Sequence, residues 1–356
     1  MNDKTQSSTN RNPWLDTLRG FSAIWVVLYH LNGRIPEQDN LYYYFVRLGY
    51  IGVPIFFIIS GYCIQLATKR SKSMSDFCWR RFCRIYPPYL ASIFVVFVSL
   101  LILKLVLGTN DSVQLPQNLQ EWFATLTVTT SPATSVQTVN WVYWSLTYEI
   151  FFYLVLGLTL VYKSFNIPII YIVTGLSFIP ALYHLPGLFF LDRWCLFLLG
   201  IGLYELLKGQ IFQGKLILVL SGVGMLIHTF SPTQIDQVHA NPSYLSIQIA
   251  SVITVLSIIM SFKYNSWLNT NNVLCQVGEV SYSLYLLHVP IGCYLLIRYR
   301  QGIWLESLPL HIFYDFSVLV ICLGLSFLFY QYVEKPAIAL GKKSFNFNLK
   351  TNQKSL

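Results

Sequence analysis

Charge is what this chain has least of. Only 11% of its 356 residues are Asp, Glu, Lys or Arg, whereas an ordinary soluble domain carries about 25%. Apolar residues make up 54%, so the composition excludes a soluble globule and points to a polytopic membrane protein. Length alone suggests two soluble domains, but apolar runs fill the chain and leave no room for one. Also lacking is a cysteine framework. Cys63, Cys195, Cys275, Cys293 and Cys322 lie in apolar runs. Cys78 and Cys83 fall in an expected cytoplasmic loop, where thiols stay reduced. No Cys/His spacing resembles a metal site, so no metal is expected. There is no clear internal repeat, which weighs against a transporter built from inverted halves. No cleavable leader is expected either: the opening MNDKTQSSTNRN is polar, and the first apolar run has no small-residue cleavage site.

What is present is a series of apolar stretches, each of about 20 residues, the length that crosses hydrocarbon. About ten are expected, near 15–31, 50–68, 87–107, 141–162, 167–184, 187–207, 213–230, 243–262, 273–297 and 310–333. Pro180 and Pro186 interrupt the fifth and sixth, and Asp192 and Arg193 fall inside the sixth. EWFATLTVTT, after Glu121, is too short to cross. The expected fold is therefore all-α. It has a polar cytoplasmic tail at 1–12, one membrane domain at 13–340 and a basic cytoplasmic tail at 341–356.

The net charge of +9 invites a nucleic-acid partner, but its distribution excludes one. With the N-terminus inside, the inner segments hold Lys4, Arg11, Lys69, Arg70, Lys72, Arg80, Arg81, Arg84, Lys163, Lys208, Lys215, Lys263 and the tail lysines. The outer loops hold only Arg34, Arg47, Arg298 and Arg300. That asymmetry is the positive-inside bias and places both termini in the cytoplasm.

Polar groups inside these stretches single out candidate chemistry. LDTLRGFSAIWVVLYHL carries Arg19 and His30 within the first span, where an ionisable side chain costs roughly 2.5 kcal/mol or more. Eleven residues return to within about 20° of the same helix face and rise about 16 Å, so the two groups lie in line at different depths. The competing reading is a snorkelling Arg and a core His satisfied by a neighbour. In GVPIFFIISGYCI, the small residues Gly52, Ser60 and Gly61 and the kink residue Pro54 favour close helix packing.

WRRFCRIYPPYL follows at the cytoplasmic mouth of the third span. Arg81 and Arg84 share a face if the stretch is helical, and Pro87 and Pro88 are expected to break the chain before the span. Arginine clusters suit phosphate; anchoring by anionic lipid is the alternative. In WVYWSLTYEIFFYL, Ser145 and Glu149 sit one turn apart. Glu149 is a buried carboxylate that needs a cation or a proton, with Arg19 or His30 as the expected partner; a structural ion pair between helices competes. In VSYSLYLLHVPI, Ser281, Tyr285 and His288 form one stripe, either a structural network or part of a site.

Taken together, these segments resemble the acyltransferase-3 family of bacterial membrane O-acyltransferases. The resemblance rests on LDTLRGFSAIWVVLYH, GVPIFFIISGY, RRFCRIYP, WSLTYEIFFY, SYSLYLLHVP and the closing YVEKPA, in family order from about residue 13 to 340. It implies that acetyl or another acyl group is taken from acyl-CoA, most simply acetyl-CoA, on the cytoplasmic side. The group is passed to a hydroxyl of a surface glycan or glycolipid such as lipopolysaccharide, capsule, exopolysaccharide or peptidoglycan. It places the protein in the bacterial inner membrane. His30 and Arg19 match the family's essential His and Arg, and Arg81 and Arg84 its cytoplasmic arginine pair. Many members carry an extra extracytoplasmic esterase-like domain. This chain stops at Leu356 without one, so transfer is expected to be completed by the membrane domain or a separate partner.

The residues support such chemistry on their own terms. A hydroxyl acceptor needs a general base, and His suits that task near neutral pH. Developing negative charge on the thioester oxygen needs a cation or dipole. His30 is expected as base or transient acyl carrier, Arg19 as orienter of the cofactor arm, and Glu149 as a third catalytic candidate. Arg80, Arg81, Arg84 and Tyr86 are the expected donor-binding residues, with Ser145, Ser281, Tyr285 and His288 in support. Two rival classes stay open: a proton-coupled transporter or flippase using Arg19, His30 and Glu149 as a relay, and a non-catalytic subunit of an export assembly.

Overall fold

The computed structural model describes residues 12–108, 115–162, 168–179, 189–229, 244–263 and 272–343. Every regular element among them is helical. In chain order these are α1 (Pro13–Asn32), α2 (Leu41–Arg47), α3 (Gly52–Arg70), α4 (Met74–Leu107), α5 (Leu119–Thr127), α6 (Trp144–Tyr162), α7 (Ile169–Ser177) and α8 (Trp194–Leu207). They continue with α9 (Ile211–Thr229), α10 (Tyr244–Lys263), α11 (Val273–Glu279), α12 (Ser281–Leu287), α13 (Ile303–Glu306), α14 (Leu308–Phe329) and α15 (Lys335–Lys342).

Among the described residues, six helical stretches are long and apolar enough to cross a membrane: Leu41–Arg70, Met74–Val106, Trp141–Val161, Ile211–Thr229, Leu245–Lys263 and Leu308–Lys342. A seventh is the pair Val273–Glu279 and Ser281–Tyr299, bent by 66°. Each coincides with an expected span, but the expected ten is not reached. Helix α1 has the length, at 20 residues, yet its Asp16, Arg19, His30 and Asn32 make it less apolar. The expected sixth span has a continuous α-helix of only 14 residues, α8, preceded by a tighter 3-10 turn at Phe189–Arg193. Of the fifth, α7 is described, while 180–184 lies outside the described residues. So do residues 1–11, the loop at 231–242 and the tail beyond residue 343.

Helix α1 starts because Asn12 caps it: its Oδ1 accepts from the Trp14 N–H across 2.9 Å, Pro13 occupies the first position and Asp16 the first turn. In lipid, helices gain little from hiding apolar surface from one another, so small residues decide where they touch. A Cβ on Gly20 would stand 1.9 Å from the Leu274 carbonyl oxygen, and one on Gly278 would stand 2.0 Å from that of Asp16. These reciprocal contacts seat α1 directly on α11. A second pair does the same for α3 and α8, where Gly61 meets the Phe197 carbonyl and Gly200 meets that of Ile58, both at 2.0 Å for an added Cβ. Around the second contact the aromatic core closes, with Phe152 stacked on Phe197 at 4.2 Å between centroids.

Helix α4 corrects two expectations. The segment read as a cytoplasmic loop carrying Cys78 and Cys83 is helical from Met74, because Ser73 Oγ caps it by accepting from Asp76 N–H at 3.1 Å. The helix then runs through Pro87 and Pro88 without the expected break. Within a membrane bundle, neighbouring groups satisfy the carbonyls that a proline leaves free, so the residue is tolerated. The same applies after α12, where the chain widens into a π-helical run, His288–Leu296. Pro290 cannot donate to the Leu286 carbonyl; the Asn140 side-chain amide does so instead across 3.3 Å.

Candidate active site

Two cavities sit back to back between α1, α3, α6 and α12. The first, of about 230 Å³, is lined by Arg19 from α1, Arg81 and Arg84 from α4, Glu149 and Tyr153 from α6, and Ser281 and His288. The second, of about 290 Å³, is lined by His30 with Tyr29, Tyr50, Trp144 and Arg193. Val26, Val53, Phe57, Ser145 and Tyr285 line both. The stripe of α1 that the spacing predicts is therefore real. Arg19, Ala23, Val26 and His30 follow one face, with the cation in one chamber and the imidazole in the other.

His30 is joined to His288. Their Nδ1 and Nε2 atoms are 3.0 Å apart and their rings stack with centroids 5.1 Å apart. The two residues are 258 positions apart in sequence, so no local pattern announces the pair. His288 is fully buried, and its Nδ1 lies 3.1 Å from the Leu284 carbonyl. Ser145 Oγ donates to the Tyr285 hydroxyl at 3.1 Å, and that hydroxyl donates to the Val142 carbonyl. Ser281 donates to the Gly278 carbonyl at 2.9 Å, at the bend between α11 and α12.

Three arginines line the first chamber against one carboxylate, Glu149, with Asp16 and Glu334 close behind them. Arg19 lies 3.8 Å from Asp16. Arg81 sits 5.9 Å over the Tyr153 ring, and its buried Nε has no hydrogen-bond partner among the described residues. Glu149 accepts from Ser60 at 2.9 Å and from the Tyr153 hydroxyl. Its expected partner, Arg19 or His30, is thus replaced by two hydroxyls within the field of Arg81 and Arg84. One hydroxyl comes from the next turn of α6 and the other from α3. Glu334, 2% exposed, accepts from Ser283 at 2.6 Å and acts electrostatically on Arg84 and Arg19. A free thiol, Cys63, lines the same chamber.

Two expected donor-binding residues are not brought there. Arg80 is turned to Asp76, Nε to Oδ1 at 2.8 Å, and Tyr86 stacks on Phe82 at 4.9 Å; neither lines either cavity. Arg80 stands about 100° round the helix from Arg81, and Asp76, one turn earlier, holds its guanidinium away from the chamber. Ser60, read as a packing residue, instead holds Glu149. Tyr153 was missed although it stands one turn beyond Glu149. Among the described residues, no group of three His, Cys, Asp or Glu is placed to hold a metal ion.

A second polar cluster was missed entirely. Asp315, with no exposed surface, pairs with Arg300 and accepts from Asn32 and from Tyr42, both at 2.6 Å. Arg300 also donates to the Leu31 carbonyl at 2.8 Å. Expected as a loop cation, Arg300 is only 7% exposed, because a carboxylate within α14 draws it in. The signal was available: His311 and Asp315 are ionisable residues inside an apolar run.

A cationic chamber thus lies beside one lined by His30, inside a bundle whose long helices are apolar enough to span a membrane. The comparisons give the family. Residues 12–331 match the acyltransferase-domain family, and the chain belongs to it. It is 26% identical to the O-acetyltransferase OatA of Staphylococcus aureus strain NCTC 8325, over 94% of this chain and 58% of that protein. A putative O-acetyltransferase of Staphylococcus aureus strain COL is 25% identical over the same shares. The chain thus spans 58% of the length of these relatives. No solved structure is a significant match.

Proposed function

We propose that this membrane domain transfers an acyl group, most simply acetyl, from acyl-CoA in the arginine chamber to a hydroxyl in the histidine chamber. The observation that carries the reading is the shared wall between the two cavities, crossed by the His30–His288 contact. Arg81 and Arg84 would meet the donor's phosphates, for which a guanidinium fork is suited. Arg19, further along α1, would orient the thioester arm and oppose negative charge as it develops on the carbonyl oxygen. His30 would take the proton of the attacking hydroxyl, or carry the acyl group transiently itself. In direct transfer, the acceptor oxygen bonds to the acyl carbon, the carbon–sulfur bond breaks, and the proton held by His30 is returned to the CoA thiolate or to water.

The relatives' names support acetyl as the group and oxygen as its acceptor. The aromatic lining of the second chamber (Tyr29, Tyr50 and Trp144) supports a sugar, because amphipathic rings present both apolar faces and polar edges. We place the protein in the bacterial inner membrane with both termini inside, acting on an extracytoplasmic or lipid-linked glycan; the Lys/Arg asymmetry supports that orientation. Reporter fusions after Asp111 and Lys350 should then report opposite compartments.

The test is hydrolysis of acetyl-CoA by the purified chain without acceptor. Slow release of CoA thiol, abolished by His30→Ala, is expected. A transporter or an assembly subunit releases none.

A further inference from the structure

We propose that His288 is a positioning residue that fixes the tautomer of His30 and so presents one bare ring nitrogen, Nε2, as the reacting atom. The inference rests on the acyl-transfer reading for its consequence, but on hydrogen-bond geometry for its content.

A carbonyl oxygen can only accept. The Leu284 oxygen lies 3.1 Å from His288 Nδ1, so that nitrogen carries the proton. A neutral imidazole has one N–H, which leaves His288 Nε2 bare. A charged His288 would instead place a cation on a ring with no exposed surface, and neither neighbour of its two nitrogens is an anion; burying an unpaired charge is expensive. Bare Nε2 must accept, and the atom 3.0 Å away is His30 Nδ1. His30 therefore carries its proton on Nδ1, and its Nε2 keeps the lone pair.

The chain of donors runs one way: His30 Nδ1–H to His288 Nε2, then His288 Nδ1–H to Leu284. When His30 Nε2 takes up a proton, the ring becomes a cation whose Nδ1–H bond to His288 is already made, so nothing need rotate. A histidine here does what a carboxylate does for the base in many hydrolytic triads, orienting the ring and selecting its tautomer. It does so without adding a buried negative charge. The fixed end is the backbone: Leu284 belongs to α12, and His288 begins the π-helical run.

The test separates tautomer from activity. Full-length chain labelled with 15N-histidine, reconstituted in lipid, is examined by solid-state NMR, with the His30 signals assigned by their loss in His30→Ala. A protonated Nδ1 and an unprotonated Nε2 on His30 are expected; the reverse tautomer overturns the proposal whether or not the protein is active. His288→Gln places an acceptor oxygen near the former Nε2 and should preserve the His30 Nδ1–H signal. His288→Leu should lose it.

Release of CoA thiol from acetyl-CoA gives the second readout. His288→Leu should lower kcat by roughly 100-fold or more, the range of a positioned base, with KM for acetyl-CoA little changed. His288→Gln should recover activity to within about tenfold of wild type, as orientation without proton uptake predicts. Gln as inactive as Leu would make His288 the base itself, and full activity in Leu would leave it no role; either result ends the assignment. A wild-type chain that releases no CoA would sink the acyl-transfer reading, and the NMR result would still decide the tautomer.

Discussion

Asn32, two residues beyond His30, donates its side-chain amide to Asp315 across 2.6 Å and so ties the end of α1 to α14. Asp315 also pairs with Arg300 and accepts from Tyr42, while Arg300 reaches the Leu31 carbonyl. The cluster is a clamp on the last turn of the helix that carries His30. Removing one partner of a buried ion pair strands the other, at a cost of about 3–5 kcal/mol. Asp315→Leu should accordingly lower the thermal midpoint of the detergent-solubilised protein steeply. Asp315→Leu combined with Arg300→Met should recover much of the loss, because it leaves no stranded charge. An unchanged midpoint in the single variant would show that the clamp contributes nothing.

The three consecutive-region arginines of α4 should behave unequally. Arg81→Ala and Arg84→Ala should each raise KM for acetyl-CoA by about tenfold or more, as expected for loss of a charge-assisted hydrogen bond worth about 1.5–3 kcal/mol. Arg84→Lys should rescue only partly, because an ammonium cannot reproduce the planar fork. Arg80→Ala should leave KM near wild type, since that side chain is bound to Asp76 outside the cavity. Equal effects at all three positions in a steady-state titration would mean that general surface charge, not the chamber, holds the donor.

His30→Gln distinguishes chemistry from structure. It keeps a hydrogen-bonding side chain of similar reach but cannot take up a proton, so acetyl transfer should fall as far as in His30→Ala. Both variants should still bind acetyl-CoA, because Arg19, Arg81 and Arg84 remain. If His30 were structural, Gln would be tolerated and Ala would act through stability, by about 1–3 kcal/mol. A binding assay run beside a turnover assay reads the difference.

Close helix contact makes a sharper stability prediction. Gly20→Ala and Gly278→Ala each drive a methyl to within 2.0 Å of a backbone oxygen, so α1 and α11 must separate. Both should reduce the yield of monodisperse protein in size-exclusion chromatography. Gly222→Ala, whose Cβ meets nothing within 4 Å, should match wild type. Normal behaviour of Gly20→Ala would mean that the two helices are not seated as described.

Much of the site was legible because polar groups in apolar runs need a reason to be there. Arg19, His30, Arg81, Arg84, Glu149, Ser145, Ser281, Tyr285 and His288 all line one chamber or the other. Spacing along one helix predicted which of them share a face. It could not predict contacts between helices: the His30–His288 pair and the hydroxyls on Glu149 depend on how distant segments pack. Arg80 and Tyr86, grouped with Arg81 and Arg84 by proximity in sequence, lie outside both cavities. The expected ten spans are not all matched among the described residues, and the difference falls where hydropathy is a poor guide, at the polar α1 and the short α8. Pro87 and Pro88 misled because the rule that proline ends helices is drawn from water, where free carbonyls have an easy alternative.

The wall common to the two chambers has one more consequence. It is made of Val26, Val53, Phe57, Ser145 and Tyr285, three of them wholly apolar, and each borders both chambers. Under the proposed transfer, a membrane that stores an ion gradient cannot hold an open aqueous passage, so these residues would act as a gasket as well as a partition. Hydrated ions meet hydrocarbon there, while a small uncharged acyl group handed between fixed neighbours needs no channel at all. Such a partition would let the proposed chemistry cross the bilayer while the gradient does not.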